Sequence, residues 1–172
     1  MRNRQSILIL FLLVISIAAS CVSVWALFFR ETKPSFAPDY EIPEKEEHAE
    51  SIPNDSDEKL DAPQGGGAVS LTYANQVGID LSTGEISLLF ANPGKSNQDV
   101  VLQIVIQDQI IAQSGTISPG YRLTNLELLE GMADMLSPGG YNGKFVVLYY
   151  DQETGEKSIV NTEIPIQISV SQ

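Results

Sequence analysis

Gly94-Lys95-Ser96 follows an apolar run, and these three residues in this order form the end of a phosphate-binding P-loop. That loop needs another glycine five positions before Gly94, where its backbone amides wrap the phosphates, and Leu89 stands there. It also needs a helix beginning at the Lys-Ser pair, because the positive amino end of a helix holds the phosphate. Residues 99–107 instead alternate apolar and polar side chains, as a strand does. The pattern predicts a turn at Asn92-Pro93-Gly94 between two strands and excludes a P-loop.

Residues 68–172 contain neither histidine nor cysteine, since His48 and Cys21 are the only ones in the chain. This composition excludes Ser-His-Asp and Cys-His nucleophilic sites, the usual zinc sites and blue-copper ligation in that part. Asp151, Glu153 and Glu156 cluster at a predicted hairpin tip, where we expect solvation and no pKa shift. We therefore predict that the protein is not an enzyme, with no catalytic, cofactor-binding or metal-binding residue and no cofactor.

Net charge is distributed unevenly and divides the chain into three compositions. The total is −12; residues 1–30 carry three arginines and no acid, residues 31–66 three lysines against eleven acids, and residues 67–172 four basic residues against eleven acids. Because no basic stripe is present to neutralise phosphates, nucleic acid is excluded as a partner.

The first composition is an apolar run, 6–29, with no charged residue. As a helix it would be about 36 Å long, enough for a hydrocarbon core of about 30 Å. Trp25, Phe28 and Phe29 lie at its far end, as in an aromatic belt. Arg2 and Arg4 in the short tail 1–5 are nearly balanced by Arg30 and Lys33 beyond the run. The short tail and the long acidic chain that follows favour an amino terminus inside the cell. We predict a single-pass anchor in the cell membrane, with the rest of the chain on the extracytoplasmic side.

Two alternatives to this anchor start from Ala18-Ala19-Ser20, which precedes Cys21. The small residues could be a cleavage site, after which Cys21 would carry lipid or the protein would be secreted. The apolar character continues to Phe29, however, whereas a mature lipoprotein normally begins with a polar tether. The uncleaved anchor is therefore favoured, with a lipoprotein attached at Cys21 as the alternative.

Residues 30–67 read as a stalk rich in proline and glutamate. Prolines and repelling acidic charges with almost no apolar periodicity predict an extended, disordered chain. Gly65-Gly66-Gly67 ends it as a swivel, and His48 is interpreted as a solvated residue of this stalk.

From residue 68 the pattern changes to short alternating runs separated by Gly, Pro, Asn and Asp. Strands are predicted at about 68–73, 85–91, 99–107, 109–114, 121–128, 144–151 and 158–170, with a hairpin tip at 151–157. Pro165 indicates an edge strand or a change of sheet. Thr124–Leu136 is ambiguous, and we predict a strand followed by a helical turn near 129–136. Seven strands without a long helix predict a two-sheet β-sandwich over 68–172.

Two strands of this domain show which side chains form the core. Val100, Leu102, Ile104 and Ile106 share one face of a strand, as do Phe145, Val147 and Tyr149 of a later one. We predict that both sets lie between the two sheets. Gln103 lies on the opposite face, where replacing it by alanine should cost little.

The stretch Leu136–Asp151, LSPGGYNGKFVVLYYD, resembles the turn and tyrosine before a late strand of immunoglobulin-like domains. The resemblance implies that Tyr141 forms a tyrosine corner, its hydroxyl bonding back to the backbone. The chain as a whole is similar to membrane-anchored immunoglobulin-like β-sandwich modules of bacterial cell surfaces. The Cys-Trp-Cys set of antibody-type domains is absent from residues 68–172.

We predict a non-enzymatic, membrane-anchored extracytoplasmic binding or assembly module with a protein or cell-envelope partner. The alternative is a structural spacer, or an accessory subunit of a membrane complex, that acts through its anchor helix. Replacing residues 6–29 by an unrelated span would abolish the second role and preserve the first.

Overall fold

The structure is a computed structural model that describes residues 44–56, 58–62 and 66–172. The predicted tail 1–5, the predicted anchor 6–29 and the alternative lipid site Cys21 lie outside these residues. Within the described part of the chain, no helix has the length and apolar character to cross a membrane.

Nine strands and one short 3-10 helix make up the secondary structure of the described residues. In chain order they are β1 (Glu50–Ser51), β2 (Thr72–Tyr73), β3 (Gln76–Asp80), β4 (Glu85–Asn92), β5 (Gln98–Ile106), β6 (Gln109–Ile117), β7 (Tyr121–Glu127), η1 (Ala133–Met135), β8 (Gly139–Asp151) and β9 (Lys157–Ser171). The all-β prediction is confirmed, with η1 inside the predicted helical turn. The predicted strand 68–73 is only two residues long, and the alternation over β3 was too short for the sequence to indicate a separate strand.

The nine strands form one curled sheet, whereas the sequence predicted two separate sheets. Their order is β1-β7-β4-β3-β9-β8-β5-β6, and β2 pairs with β4 beside this path. β9 joins the half of the sheet that ends in β3 to the half that begins with β8. It pairs antiparallel with β8 along most of its length, and its last five residues pair parallel with β3. A strand of fifteen residues is long enough to serve both neighbours, so the sheet stays continuous.

Among the residues that the structure describes, no strand lies beside one edge of β9 at Pro165. The amide of Gln167 donates to the carbonyl of Asn75 on the β3 side. Since successive amides of a strand point to opposite sides, the nitrogen of Pro165 faces the same side. Its partner across the sheet is Lys144 of β8, and β3 pairs only from Gln167 onward. The missing N–H of proline therefore removes no ladder bond, as the edge-strand prediction requires.

The main core lies inside the curl and confirms the predicted core strands. Val100, Leu102, Ile104 and Ile106 of β5 are buried in it, with Phe145 and Val147 of β8, and Tyr149 packs at its margin. Phe90 of β4 meets Phe145 edge to face, with ring centroids 5.9 Å apart. Gln103 differs from the prediction, because it is also completely buried although it lies on the opposite face of β5.

Tyr141 makes the bonds that the immunoglobulin-like resemblance implied. Its hydroxyl donates to the carbonyl of Ser137 at 2.9 Å and accepts the amide of the same residue at 3.0 Å. The ring thereby closes the turn that leads into β8.

The described residues of the predicted stalk lie against the β domain, N-terminal to its predicted boundary at residue 68. Residues 50 and 51 pair with β7, and Lys45 forms a parallel bridge to Thr116 of β6. Glu46 is largely buried and accepts the amide of Gly115. This differs from the solvated coil that the composition predicted. The acidic side chains here bond to particular backbone amides, which a charge count does not anticipate.

Candidate binding surface

The Gly94-Lys95-Ser96 loop is a turn between β4 and β5, as predicted. It binds residues of the segment that the sequence predicted to be a stalk. Lys59 donates from Nζ to the carbonyls of Gly94 and Ser96, both at 2.8 Å. Asp55 accepts the amide of Gly94, and Leu60 donates its amide to the carbonyl of Lys95 at 2.8 Å. A strand, not a helix, follows the turn. The polar groups of this loop therefore bind Asp55, Lys59 and Leu60 of the same chain.

Ser96 holds the chain that leads into β2. It is fully buried, and its hydroxyl accepts the amide of Ser70 at 2.9 Å and donates to the carbonyl of Ser70 at 3.2 Å. The side chain of Asn97 accepts the amide of Ala68 at 2.7 Å. These bonds place residues 66–70 beside the turn that connects β8 to β9.

A groove with a cavity volume of about 1030 Å³ lies between that segment and the hairpin end. Its apolar lining comes from Val69, Tyr149, Ile159 and Val160, and its polar lining includes Gln98 and the turn 151–156. The side-chain amide of Gln98 donates to Ser158 Oγ at 3.1 Å, which ties β5 to the first residues of β9. The groove therefore combines an apolar wall with an acidic rim.

Ile159 and Val160 project from an irregularity in β9. Leu148 pairs with Asn161, but Tyr150 pairs with Lys157, so four steps along β9 correspond to two along β8. Extra residues in a strand bend it and turn side chains away from the ladder. Ile159 is fully exposed and Val160 is 70% exposed. Ile159 and Val160 are adjacent apolar residues and therefore break the alternation of this strand. This was a signal of the irregularity in the sequence, and the strand prediction over 158–170 did not use it.

The acids at the groove's rim support the turn. Asp151 accepts the amide of Glu153 at 3.0 Å, and the amide and hydroxyl of Thr154 at 2.8 and 3.0 Å. These bonds, that of the Thr154 amide first, lower the pKa of Asp151. The expectation of an unshifted pKa was therefore wrong, because exposed carboxylates still accept local hydrogen bonds. The shift favours the ionised carboxylate, the reverse of what a general acid needs.

A smaller groove of about 420 Å³ lies beside the β5–β6 turn. Lys144 and Glu163 form an ion pair of 3.0 Å at its side, and both side chains are partly exposed. Across the described ranges, no group of three or more His, Cys, Asp or Glu residues is placed to hold a metal ion.

No protein-family model and no curated protein matches the chain. Among solved structures, the chain is similar to AggA, the major subunit of aggregative adherence fimbriae type I from Escherichia coli. The two are 12% identical, with a TM-score of 0.30, over 61% of this chain and 95% of that one. Because the similarity is this weak, no property of the fimbrial subunit is carried over to this protein.

Proposed function

We propose that this protein is a non-enzymatic binding or assembly module that meets a protein or cell-envelope partner at the groove of the β8–β9 hairpin. The observation that carries the proposal is the exposure of Ile159 and Val160 at the edge of this groove. When a partner covers adjacent apolar side chains beside a concave surface, their removal from water makes the free energy of binding more favourable. The acidic rim adds selectivity for basic or hydrogen-bond-donating groups.

The chemistry of the groove supports binding over catalysis. Asp151, the acid with the most internal hydrogen bonds there, is committed to the hairpin turn and favours its ionised form. An acid so engaged shapes the turn and adds negative charge, but it does not exchange protons near neutral pH.

The location of this module is part of the proposal. Residues 6–29 would anchor it in the cell membrane with the β domain on the extracytoplasmic side, and the alternative is lipid attached at Cys21. Protease added to spheroplasts should remove the domain, and the mature protein should keep its amino-terminal residues. A mature form that begins at a lipid-modified Cys21 would replace the anchor with the lipoprotein alternative.

The binding test uses the fragment 44–172, which keeps the contacts of residues 44–62. Immobilised fragment should retain a partner from solubilised cell envelopes, and Ile159→Asp with Val160→Asp should abolish this retention. Met135→Asp is the matched control, because Met135 is also an exposed apolar residue, 60% exposed, outside the groove lining. Equal retention by all three proteins would refute the groove as the binding surface.

A second experiment separates this function from the spacer alternative. Replacing residues 6–29 by an unrelated membrane span should leave the cellular function intact if the groove carries it. Loss of function with correct membrane insertion would indicate that the anchor helix is the interacting part.

A further inference from the structure

Part of β9 has a neighbouring strand on one side only, among the residues that the structure describes. β8 pairs along one side of β9, whereas β3 pairs along the other side only from Gln167 onward. We call residues 161–165 of β9 the open edge. Asn161, Glu163 and Pro165 of this edge are exposed to solvent. An unpaired strand edge presents backbone groups to which a further strand can bind.

Two hydrogen bonds further along β9 show which backbone groups point away from β8. On the β3 side, Gln167 donates its amide to the carbonyl of Asn75 at 2.8 Å, and the carbonyl of Ser171 accepts the amide of Leu81 at 3.0 Å. The backbone groups of odd-numbered residues therefore face the β3 side. The pairing with β8 has no register shift between residues 161 and 170, so this alternation continues into the open edge.

The open edge thus offers two donors and three acceptors. The donors are the amides of Asn161 and Glu163, and the acceptors are the carbonyls of these two residues and of Pro165. Within the described ranges, none of these groups has a backbone hydrogen bond on that side. Pro165 has no N–H, so it ends the run of donors without removing any bond to β8.

The open edge is continuous with the groove of the β8–β9 hairpin. The lining of that groove includes Ile159 and Val160, and the open edge begins at the next residue, Asn161. Glu163 and Pro165 line the smaller groove beside the β5–β6 turn. An extended chain that lies along the open edge therefore has a concave surface near each of its ends.

Charge determines which kind of segment fits this edge. The lining of the larger groove holds three acids against one lysine: Asp151, Glu153, Glu156 and Lys157. Residues 67–172 as a whole carry four basic residues against eleven acids. Basic side chains are attracted to such a surface, whereas a second copy of this chain would bring the same excess of acids to it.

We propose that an extended, basic segment of a partner protein adds to the open edge as a further strand. This inference rests on the proposed function, because it specifies how the partner meets the groove of the β8–β9 hairpin. The amides of Asn161 and Glu163 donate to carbonyls of the partner segment, and the carbonyls of the open edge accept its amides. The main-chain bonds supply affinity, and the alternate side chains of the segment supply selectivity.

The test uses a fluorescein-labelled peptide, acetyl-Lys-Val-Lys-Val-Lys-Val-Lys-amide, and the full-length protein in detergent. Fluorescence anisotropy measures the affinity. The same peptide with Glu in place of Lys should bind at least about ten-fold more weakly, because its charges are repelled. Glu163→Pro removes one donor of the open edge and no bond to β8, and it should weaken binding of the lysine peptide by about ten-fold or more.

Glu163→Ala is the matched control, because it removes the same side chain and keeps the amide. It should weaken binding less than Glu163→Pro does. Circular dichroism checks that each variant keeps the β fold, and Asn161→Pro replaces Glu163→Pro if the latter does not fold. Equal losses in the alanine and proline variants would assign the binding to the carboxylate and overturn strand addition.

Two N-methylated peptides test the backbone bonds without any change to the protein. One carries methyl groups on its lysine amides and the other on its valine amides. Because successive amides of a strand point to opposite sides, only one of the two sets can face β9. One peptide should therefore lose affinity by about ten-fold or more, and the other should bind like the parent peptide. Equal affinities of the two methylated peptides, or no saturable binding of the parent below about 1 mM, would overturn the proposal.

Retention of a partner from solubilised cell envelopes separates this inference from the proposed function. Ile159→Asp with Val160→Asp and, separately, Glu163→Pro should each abolish retention. Loss of retention with the aspartate pair but not with Glu163→Pro would keep the groove as the binding surface and refute strand addition. Retention by both variants would refute both proposals.

Discussion

Lys59 and Ser96 are 37 residues apart in sequence, and the ammonium group of Lys59 donates to the carbonyl of Ser96 at 2.8 Å. Its second bond, to the carbonyl of Gly94, has the same length. A residue of the predicted stalk is therefore held by the loop that resembles a phosphate-binding motif. In a P-loop, the lysine belongs to the loop and binds an anion. Here Lys59 lies outside the loop, and its ammonium group binds the carbonyl oxygens of the loop.

We predict that Lys59→Met destabilises the domain by about 1–3 kcal/mol, because two charge-assisted hydrogen bonds are lost. Urea unfolding of the fragment 44–172 measures this. Residues 55–60 should also become sensitive to protease before the β domain does. Lys95→Met is the matched control in the same loop and should cost under about 0.5 kcal/mol. A phosphate role for the loop would instead make Lys95→Met the damaging change, with loss of a measurable ATP affinity.

Ile104→Ala should cost about 2–5 kcal/mol, from lost transfer free energy and the cavity left inside the curl. The side chain is fully buried between the strands. Ile159→Ala removes the same atoms from a fully exposed position and should change the free energy of unfolding by under about 0.5 kcal/mol. Equal costs for the two variants would contradict the observed register of β5.

Tyr141→Phe should lower the free energy of unfolding by about 1 kcal/mol, because the hydroxyl makes two hydrogen bonds to Ser137. Tyr73→Phe serves as the comparison, since Tyr73 is 44% exposed and its hydroxyl has no hydrogen bond within the described ranges. Thermal unfolding of both variants measures the two losses of stability. A loss as large in Tyr73→Phe would remove the special role of the turn before β8.

The pH dependence of stability should include a contribution from Asp151, whose pKa is lowered chiefly by the Thr154 amide. The unfolded chain then binds a proton more readily than the folded one. This stabilisation is complete above the unfolded pKa of about 3.9 and is lost as pH falls through the folded pKa. The melting temperature of Asp151→Asn should therefore fall less than that of the natural protein between about pH 5 and pH 2.

Glu153→Gln is the control for this pH effect, because its carboxylate has no hydrogen bond within the part of the chain that the structure describes. Its melting temperature should follow that of the natural protein across the same range. Asp80→Asn should behave like Asp151→Asn, since the Ser82 hydroxyl and then the Ser82 amide lower the pKa of Asp80. Parallel curves for the natural protein and both Asp variants would show that these hydrogen bonds do not form in solution.

Local pattern was sufficient for strands β4 to β9 and for the core side chains of β5 and β8. Alternation of side chains along β4, β5, β8 and β9 is a property of neighbouring residues, and it predicted these strands and the core-facing side chains of β5 and β8. The turn at Asn92-Pro93-Gly94 was predictable for the same reason, because proline and glycine act over short distances. The Tyr141 corner followed from the resemblance to immunoglobulin-like domains.

Contacts between distant residues decided the rest. Whether nine strands form one sheet or two depends on the parallel pairing of β3 with the end of β9, which no local pattern encodes. The alternation along β5 predicts that Gln103 lies on the surface, opposite the core. Only the tertiary structure shows that it is buried. The bonds of Lys59 and Glu46 likewise turn a sequence with the composition of a disordered stalk into part of the domain, because composition reports average solvation and not the few backbone groups that lie within reach.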